Sequence, residues 1–547
     1  MLQQINFIQN KLEQKQKQMI FVAIYTILGI LALIFAIALY NLVFYPYLRL
    51  KIMKQKYGDK IQVFFNIGDG ILKKYKNDLE DKGDSLAFIR GMHQKNLKAI
   101  GFNLGAKVGL SFVDPDLIKQ VHQNHDSFHK IDAAMAITFL FGNSILYAKG
   151  KDWQRQRQFL GKSFHFEEIK NYLPLIKEVC QNTFQNVNKQ LALKEQTEIQ
   201  AVKICEQITS EVVFRVFFGS TSQNLDIKKE DGTRIPIAHE LVETIMNSFQ
   251  LLQNDKIALI KWLLFKRNST KFLRTQGEES ILNRLITVKQ TCLQVVIKRR
   301  DELFKDPSQA KKNFLDQYLI DMIQNKNSKV TYDEIVDNFS GLFFAGTDTT
   351  GNMTGVALYY LSLYPEIQQQ AREEVIKVLS QKQKEKKTDQ LFNQLTFDDL
   401  SNLDLINSIL KESLRLVPPA NEVFPRIADH DMKIGDFQIE KGDLVNTHFI
   451  YNQSNPEYYP NPDIFDPYRW MNAKDQQNTF HFTPFSLGPR NCIGQHLAMI
   501  EGKCMLASIL LQFEILPNHS AKIVKEVKVI YGLKNDNIIF FKKLKAN

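Results

Sequence analysis

Cysteine is scarce in this sequence: Cys180, Cys205, Cys292, Cys492 and Cys504 are all that 547 residues contain. An odd, widely scattered set excludes a disulfide framework and fits a reducing, cytosolic face. No two of them form a C-x-x-C pair, the spacing in which structural zinc usually takes its sulfur ligands, so zinc finds no support. Nucleotide-binding glycines are missing as well. Gly68-Asp69-Gly70 fails at the third glycine of a G-x-G-x-x-G, and no phosphate loop occurs. Zinc fingers, aromatic-basic RNA motifs and basic helices are also absent. The formal net charge of +11 is spread along the chain and gives no reason to invoke nucleic acid. Its sign suits a membrane surface or an acidic protein partner.

What is present begins with apolar content, 44% of the residues, enough for a large core. A polar segment, 1–18, precedes an uncharged apolar run from Met19 to Tyr40, long enough to span a bilayer as a helix. Ala36-Ile37-Ala38 resembles a signal-peptide cleavage site, but the run is long for a signal and ends among Tyr40, Phe44, Tyr45 and Tyr47, where an aromatic belt would lie. Lys11, Lys15 and Lys17 precede it, whereas Arg49, Lys51, Lys54, Lys56 and Lys60 follow it. The positive-inside rule therefore leaves the body of the chain in the cytosol. Residues 41–56 read as a basic linker in which Pro46 breaks the helix and acts as a hinge, and 57–547 as one body.

Within that body, Gly105 to Val113 reads as a strand, with Val113-Asp114-Pro115 turning into a helix. Residues 166–330 show long helical patterns. Leu251 to Phe265, rich in Leu, Ile and Trp262, fits either core or a second, shallow membrane contact. The sequons at Asn268 and Asn338 are the chance yield of an Asn-rich chain. Residues 378–396 are Lys/Gln-rich and read as an exposed excursion, and Met432 to Val445 alternates as strands.

One stretch gathers the chemistry. Phe485-Ser486-Leu487-Gly488-Pro489-Arg490-Asn491-Cys492-Ile493-Gly494 precedes an almost wholly apolar helix pattern running from Leu497 to Phe513. It reads as a constrained loop delivering one cysteine to a helix N-terminus, whose unpaired N–H groups would lower the thiol pKa. Gly488 permits a tight turn, Gly494 leaves room for close approach, and Arg490 suits a carboxylate or propionate. Such a thiol is either a buried structural cysteine or the axial ligand of a haem iron. The spacing F-x-x-G-x-R-x-C-x-G resembles the haem-binding loop of the cytochrome P450 family.

Further segments extend that resemblance in family order. Trp153 and Arg157 share one helix face. Alone they describe a surface cation stacked on tryptophan; they also resemble the family's W-x-x-x-R, whose members bond a haem propionate. Basic neighbours Lys151, Arg155 and Lys162 describe either a solvated face or a docking face for an acidic redox partner. Phe339 to Leu361 is an apolar helix interrupted by Ala345-Gly346-Thr347-Asp348-Thr349-Thr350. Gly346 costs helix stability, on the order of 1 kcal/mol, which close approach of a flat cofactor would compensate. Thr349 can bond back to the carbonyl of Ala345 and open a groove. The segment resembles the family's A/G-G-x-D/E-T-T over the distal haem face. Glu412 and Arg415 match E-x-x-R, and Pro462 to Trp470 contains the P-x-x-F-x-P-x-R whose Arg469 joins them structurally. Arg426 stands where the family often offers another propionate contact.

The resemblance implies a mainly α fold with a small β-rich region, preceded by one transmembrane helix. It implies haem b (iron protoporphyrin IX) with Cys492 as axial cysteinate. Phe485, Gly488, Gly494, Arg490, Trp153, Arg157, Arg426, Ala345 and Gly346 would surround the haem. The implied reaction inserts one oxygen atom of O2 into an apolar small molecule, with Asp348 and Thr349 relaying protons. With no nucleotide unit of its own, the chain would take electrons from a separate NADPH-dependent flavoprotein reductase, with cytochrome b5 as a second donor, at the endoplasmic reticulum membrane. Two alternatives stand beside it: a haem-thiolate isomerase or dehydratase, against which the Asp348-Thr349 pair weighs, and a non-catalytic membrane-tethered haem protein, which NADPH consumption with a reductase and a substrate would separate from an enzyme. The strands between Ile530 and Phe541 are expected to close the substrate pocket.

Overall fold

In the computed structural model, which describes residues 2–65, 72–94, 96–130, 139, 141–219, 226–228, 232–258, 261, 271, 273–380, 391–421, 425–471, 480–520, 523–527, 530–534 and 537–544, the N-terminal run is helix α1, Leu2–Leu39. It belongs to the one helix among the described residues long and apolar enough to cross a membrane, and its apolar stretch is wholly exposed. The chain does not break at Pro46. A π turn, Tyr40–Phe44, leads directly into α2, Tyr45–Tyr57, with the proline in the first α turn, where its missing N–H costs least. The expected hinge is therefore continuous helix. Arg49 ties α2 to the turn at Glu440 and Asp443, the latter at 3.0 Å, and Leu50 and Met53 bury against a sheet.

That sheet contains β1 (Ile61–Phe64), β2 (Ala99–Leu104), β3 (Lys107–Phe112), β4 (Phe128–Lys130), β5 (Arg426–Ala428) and β6 (Leu444–Thr447), in the order β1-β2-β3-β6-β5-β4. The strand expected over Gly105 to Val113 is β3, which forms a hairpin with β2, and Gly105 supplies the turn with φ 58°. Asp114 then caps helix α3, Pro115–Gln123, by accepting from the N–H groups of Asp116 and Leu117. Antiparallel register sets Lys130 of β4 directly opposite Arg426 of β5, so two cations share one edge of the β region.

The rest is helical: α4 (Gly150–Gly161), α5 (Leu173–Leu191), α6 (Ala201–Phe218), α7 (Tyr332–Leu363), α8 (Asp404–Leu416) and α9 (Gln495–Gln512). Helix α7 is buried along most of its length because it runs through the core, against α6, α8 and α9. Three of its glycines are notches for α6. A Cβ on Gly346 would stand 2.8 Å from Val213, one on Gly351 2.6 Å from Glu206 Cγ, and one on Gly355 2.5 Å from Val202 Cα. Gly346 thus accommodates a neighbouring helix, and it also lines the central cavity. Asn338 is buried, accepting from the N–H of Ile145 and donating to Gln156, and is no glycan acceptor.

Near the C-terminus, Ile538–Lys543 lies between Phe513–Pro517 and Gln196–Gln200 in a three-stranded sheet. None of its residues, and none of Tyr531–Leu533, is among the described residues that line the central cavity, and 535–536 between them lie outside the described residues. Gly68-Asp69-Gly70, Asn268, most of the Leu251–Phe265 stretch beyond Ala258, and 381–390 of the Lys/Gln-rich excursion lie outside the described residues.

Candidate active site

The cysteine loop is shaped by two left-handed residues, Ser486 at φ 62° and Gly488 at φ 69°. Gly488 is required there twice over, since a Cβ would also come within 3.1 Å of the carbonyl oxygen of His122. Inside the loop the N–H of Cys492 donates to Phe485 O at 2.8 Å, and that of Asn491 to Gly488 O at 3.1 Å. Gly494 is the N-cap of α9, so the sulfur stands two residues ahead of it. Arg157, reaching across from α4, clamps the loop by donating to Asn491 O at 2.9 Å and Asn491 Oδ1 at 2.5 Å.

Alone among the five cysteines, Cys492 is exposed. Its exposure is to an internal cavity of about 300 Å³ and not to bulk water. Burial accordingly pushes its pKa up, while the N–H of Gly494 and the charge of Arg157 pull the other way. The helix terminus by itself therefore does not hold the sulfur as thiolate, contrary to the expectation from sequence. A metal cation bound to the sulfur would do so.

Across the cavity stand Leu342, Ala345, Gly346, Thr349, Thr350 and Met353 of α7. Thr349 Oγ1 donates to Ala345 O at 2.5 Å, the back-bond that loosens a helix locally. Asp348 does not line the cavity; it lies behind Thr349, 8% exposed, and burial pushes its pKa up to about 7.

One end of the cavity is cationic. Arg426 is buried with Nη1 unpartnered. Arg490 stacks on Trp153, 3.9 Å from the ring centroid, and donates to Ala148 O at 3.1 Å. Lys130 lies over Tyr147. Burial lowers Arg426 to about 10; burial followed by neighbouring cations lowers Arg490 to about 10 and Lys130 to about 7. Three cations crowded on one cavity call for anions. A largely apolar space with a thiol in its lining and three cations beside it fits a haem, whose two carboxylates would sit among Arg426, Arg490 and Lys130. Lys130 carries no motif; only its register opposite Arg426 reveals it. Trp153 serves as the platform for Arg490, and Arg157 is engaged with the cysteine loop.

Glu412 and Arg415 are 0% exposed. Glu412 accepts from Arg415 Nε (2.9 Å) and Nη2 (2.8 Å), Arg469 Nε (3.1 Å), Trp470 Nε1 (2.9 Å) and the N–H of Asp466 (3.1 Å). Arg415 donates onward to the carbonyls of Gln453, Pro462 and Ile464. The cluster pins the segment ahead of the cysteine loop and does not touch the cavity. Arg155 is paired with Glu334, which neutralises part of the expected basic face on α4. His125 and His129 have a metal-like spacing, but among the described residues no group of three His, Cys, Asp or Glu is placed to hold an ion.

The family model "Cytochrome P450" matches residues 70–539. The chain is 29% identical over 425 residues to Cytochrome P450 4F8 of Homo sapiens, covering 75% of this chain and 76% of that protein. It is 27% identical over 442 residues to Cytochrome P450 CYP72A219 of Panax ginseng, covering 79% and 80%. Its fold is similar to the crystal structure of the cytochrome P450DA heme domain, with a TM-score of 0.68 at 17% identity, covering 89% of this chain and 97% of that one.

Proposed function

The chain belongs to the cytochrome P450 family, and from that premise we propose that it oxygenates an apolar small molecule of the lipid, fatty acid, sterol or xenobiotic class, using electrons from a separate NADPH-dependent flavoprotein reductase. It is a haem-thiolate monooxygenase by family, with haem b as cofactor. When bound, the haem would supply the iron at which O2 is activated, and Cys492 would hold that iron through its sulfur and lend it electron density.

The roles of this chain's own residues follow from their surroundings. Cys492 offers its sulfur to the cavity from a loop held by Phe485, Gly488 and Arg157. Arg426, Arg490 and Lys130 would hold the carboxylates, and Trp153 orients Arg490. Thr349 presents a hydroxyl to the cavity, and Asp348, with a pKa of about 7, can both hold and release a proton near neutrality. Val213, Val216, Phe217, Leu342 and Phe449 make the remaining wall apolar, which excludes water and admits apolar substrates. The observation that carries the reading is the thiol of Cys492 and three cations on one otherwise apolar cavity. We place the anchor α1 across the endoplasmic reticulum membrane with the body in the cytosol, on the excess of basic residues after the apolar run; there a reductase and cytochrome b5 could reach it.

The test is the absorption spectrum of dithionite-reduced protein with carbon monoxide, beside Cys492→Ala, followed by NADPH consumption with a reductase and apolar substrates. A strongly red-shifted Soret band lost in the variant, with substrate-dependent NADPH oxidation, is expected. A band at the position given by neutral ligands, or NADPH oxidation that no substrate alters, would overturn the reading.

A further inference from the structure

Asp348 and Thr349 adjoin in sequence but serve different sides of α7. Thr349 opens onto the cavity, whereas Asp348 shares a helix face with Gly351 and Gly355, three and seven residues on, and α6 lies against that face. On that face α6 lies between Asp348 and water. The residue of α6 at this level is Glu206. Its Cγ, amide nitrogen and Cα occupy the notch over Gly351, at 2.6, 2.9 and 3.0 Å from where a Cβ would stand. Thr209, one turn along, donates from Oγ1 to Thr347 O at 2.9 Å and fixes α6 against α7 at this height. Asp348 is buried, Glu206 is half-buried, and Lys203, one turn before it, is exposed. Exposure thus falls from Lys203 through Glu206 to Asp348, with Glu206 packed on the helix face that carries Asp348.

We propose that Glu206 is the outer station of a two-carboxyl proton path, taking protons from solvent and passing them to Asp348, which re-supplies Thr349. The proposal rests on the reading of Asp348 and Thr349 as the proton donors. Each turnover of RH + O2 + 2e⁻ + 2H⁺ to ROH + H2O consumes two protons, with the electrons from NADPH through the reductase. Each proton leaving Asp348 leaves a carboxylate, which Glu206 re-protonates before itself taking a proton from water.

The electrostatics agree. Burial and then the charge of Asp348 raise Glu206 to about 8, with Lys203 opposing, while burial raises Asp348 to about 7. Besides Lys203 and Asp348, the other titratable group interacting with Glu206 among the described residues is the buried thiol of Cys205, held protonated far above neutrality. Donor and acceptor thus differ little in acidity, so transfer in either direction is nearly even in free energy.

The path is tested on the haem-loaded protein, without turnover, by infrared titration of the carboxyl C=O bands, assigned with Glu206→Gln and Asp348→Asn. The Glu206 band is expected to titrate above neutrality and to move to lower pH in Asp348→Asn. In turnover with reductase, Glu206→Gln should lower product formation several-fold, raise peroxide release and enlarge the solvent deuterium isotope effect, with Glu206→Asp restoring part of each. A Glu206 band titrating in the ordinary carboxylate range, or unmoved by Asp348→Asn, overturns the coupling. If Thr349→Ala uncouples turnover and Glu206→Gln does not, the path enters elsewhere and the proposal fails while the donor reading stands. If neither variant uncouples, the donor reading itself fails.

Discussion

Replacing Glu412 with glutamine changes no volume, yet it should be among the most damaging single substitutions outside the cavity. The carboxylate accepts five N–H groups, three at Oε1 (Arg415 Nη2, Arg469 Nε, Asp466 N) and two at Oε2 (Arg415 Nε, Trp470 Nε1). An amide can present only one oxygen to them. In the better orientation its NH2 replaces Oε2 and faces two donors, leaving Arg415 Nε and Trp470 Nε1 without acceptors, at roughly 1–3 kcal/mol each. The negative charge beside a fully buried Arg415 is lost as well. Breaking a buried ion pair from one side costs about 3–5 kcal/mol, and that range already contains the stranded donors, so the two figures are not summed. Equilibrium urea titration followed by far-UV circular dichroism should therefore show destabilisation of about 3–5 kcal/mol. Haem release should also be faster, because the cluster pins the chain leading to Cys492. Arg415→Met provides the cross-check: the double variant should cost well under the sum of the singles, since each single strands its partner. A loss below about 1 kcal/mol, the scale of a surface pair, or strict additivity, would refute the claim that this cluster acts as one buried unit.

Arg426→Leu should move the haem-free and haem-loaded proteins in opposite directions. It removes an uncompensated buried cation from the first, leaving stability level or improved, and a carboxylate partner from the second, so that haem transfer to apomyoglobin accelerates; equal effects on both forms would contradict the anion role. Asp348 supplies a pH signature. Its pKa of about 7 lies above that of an unfolded carboxyl, about 3.9, so between those values the folded state binds more protons and stability falls as pH rises. Across that window the fall is at most about 1.4 kcal/mol for each step of one in pH. Asp348→Asn should flatten this fall between about pH 4 and 7 in thermal melts, and an unchanged slope would place the carboxyl in an ordinary environment.

Legibility in the sequence follows the kind of constraint at each position. Cys492, Gly488 and the Glu412-Arg415-Arg469 set are fixed by loop or ion-pair geometry that tolerates few residue types, so their spacing alone locates them. Gly346 stands out in the sequence but does not reveal its neighbour, because a helix notch for Val213 and an approach by a cofactor leave the same mark. The thiol pKa takes the opposite direction from the one local sequence suggests for a similar reason: helix-end polarity follows from local sequence, while the burial that outweighs it is assembled from distant segments. Lys130 and Glu206 carry no local signal. Their places come from strand register and from α6 settling on α7, which only tertiary structure displays. Pro46 has the ordinary mark of a helix break, and a π turn ahead of it makes it the start of a helix instead.

The unbroken passage from α1 through the π turn into α2, braced by Arg49, has a mechanical consequence. A body hung on a flexible cord would tumble freely above a lipid surface, whereas one welded to a rod must lean as the rod leans. A transmembrane helix answers a thinner bilayer by tilting. With α1 in a bilayer, lipid thickness would then set the attitude of the whole enzyme and the height at which its entrances meet the lipid, so the same chain would address a different depth of solute in a different membrane.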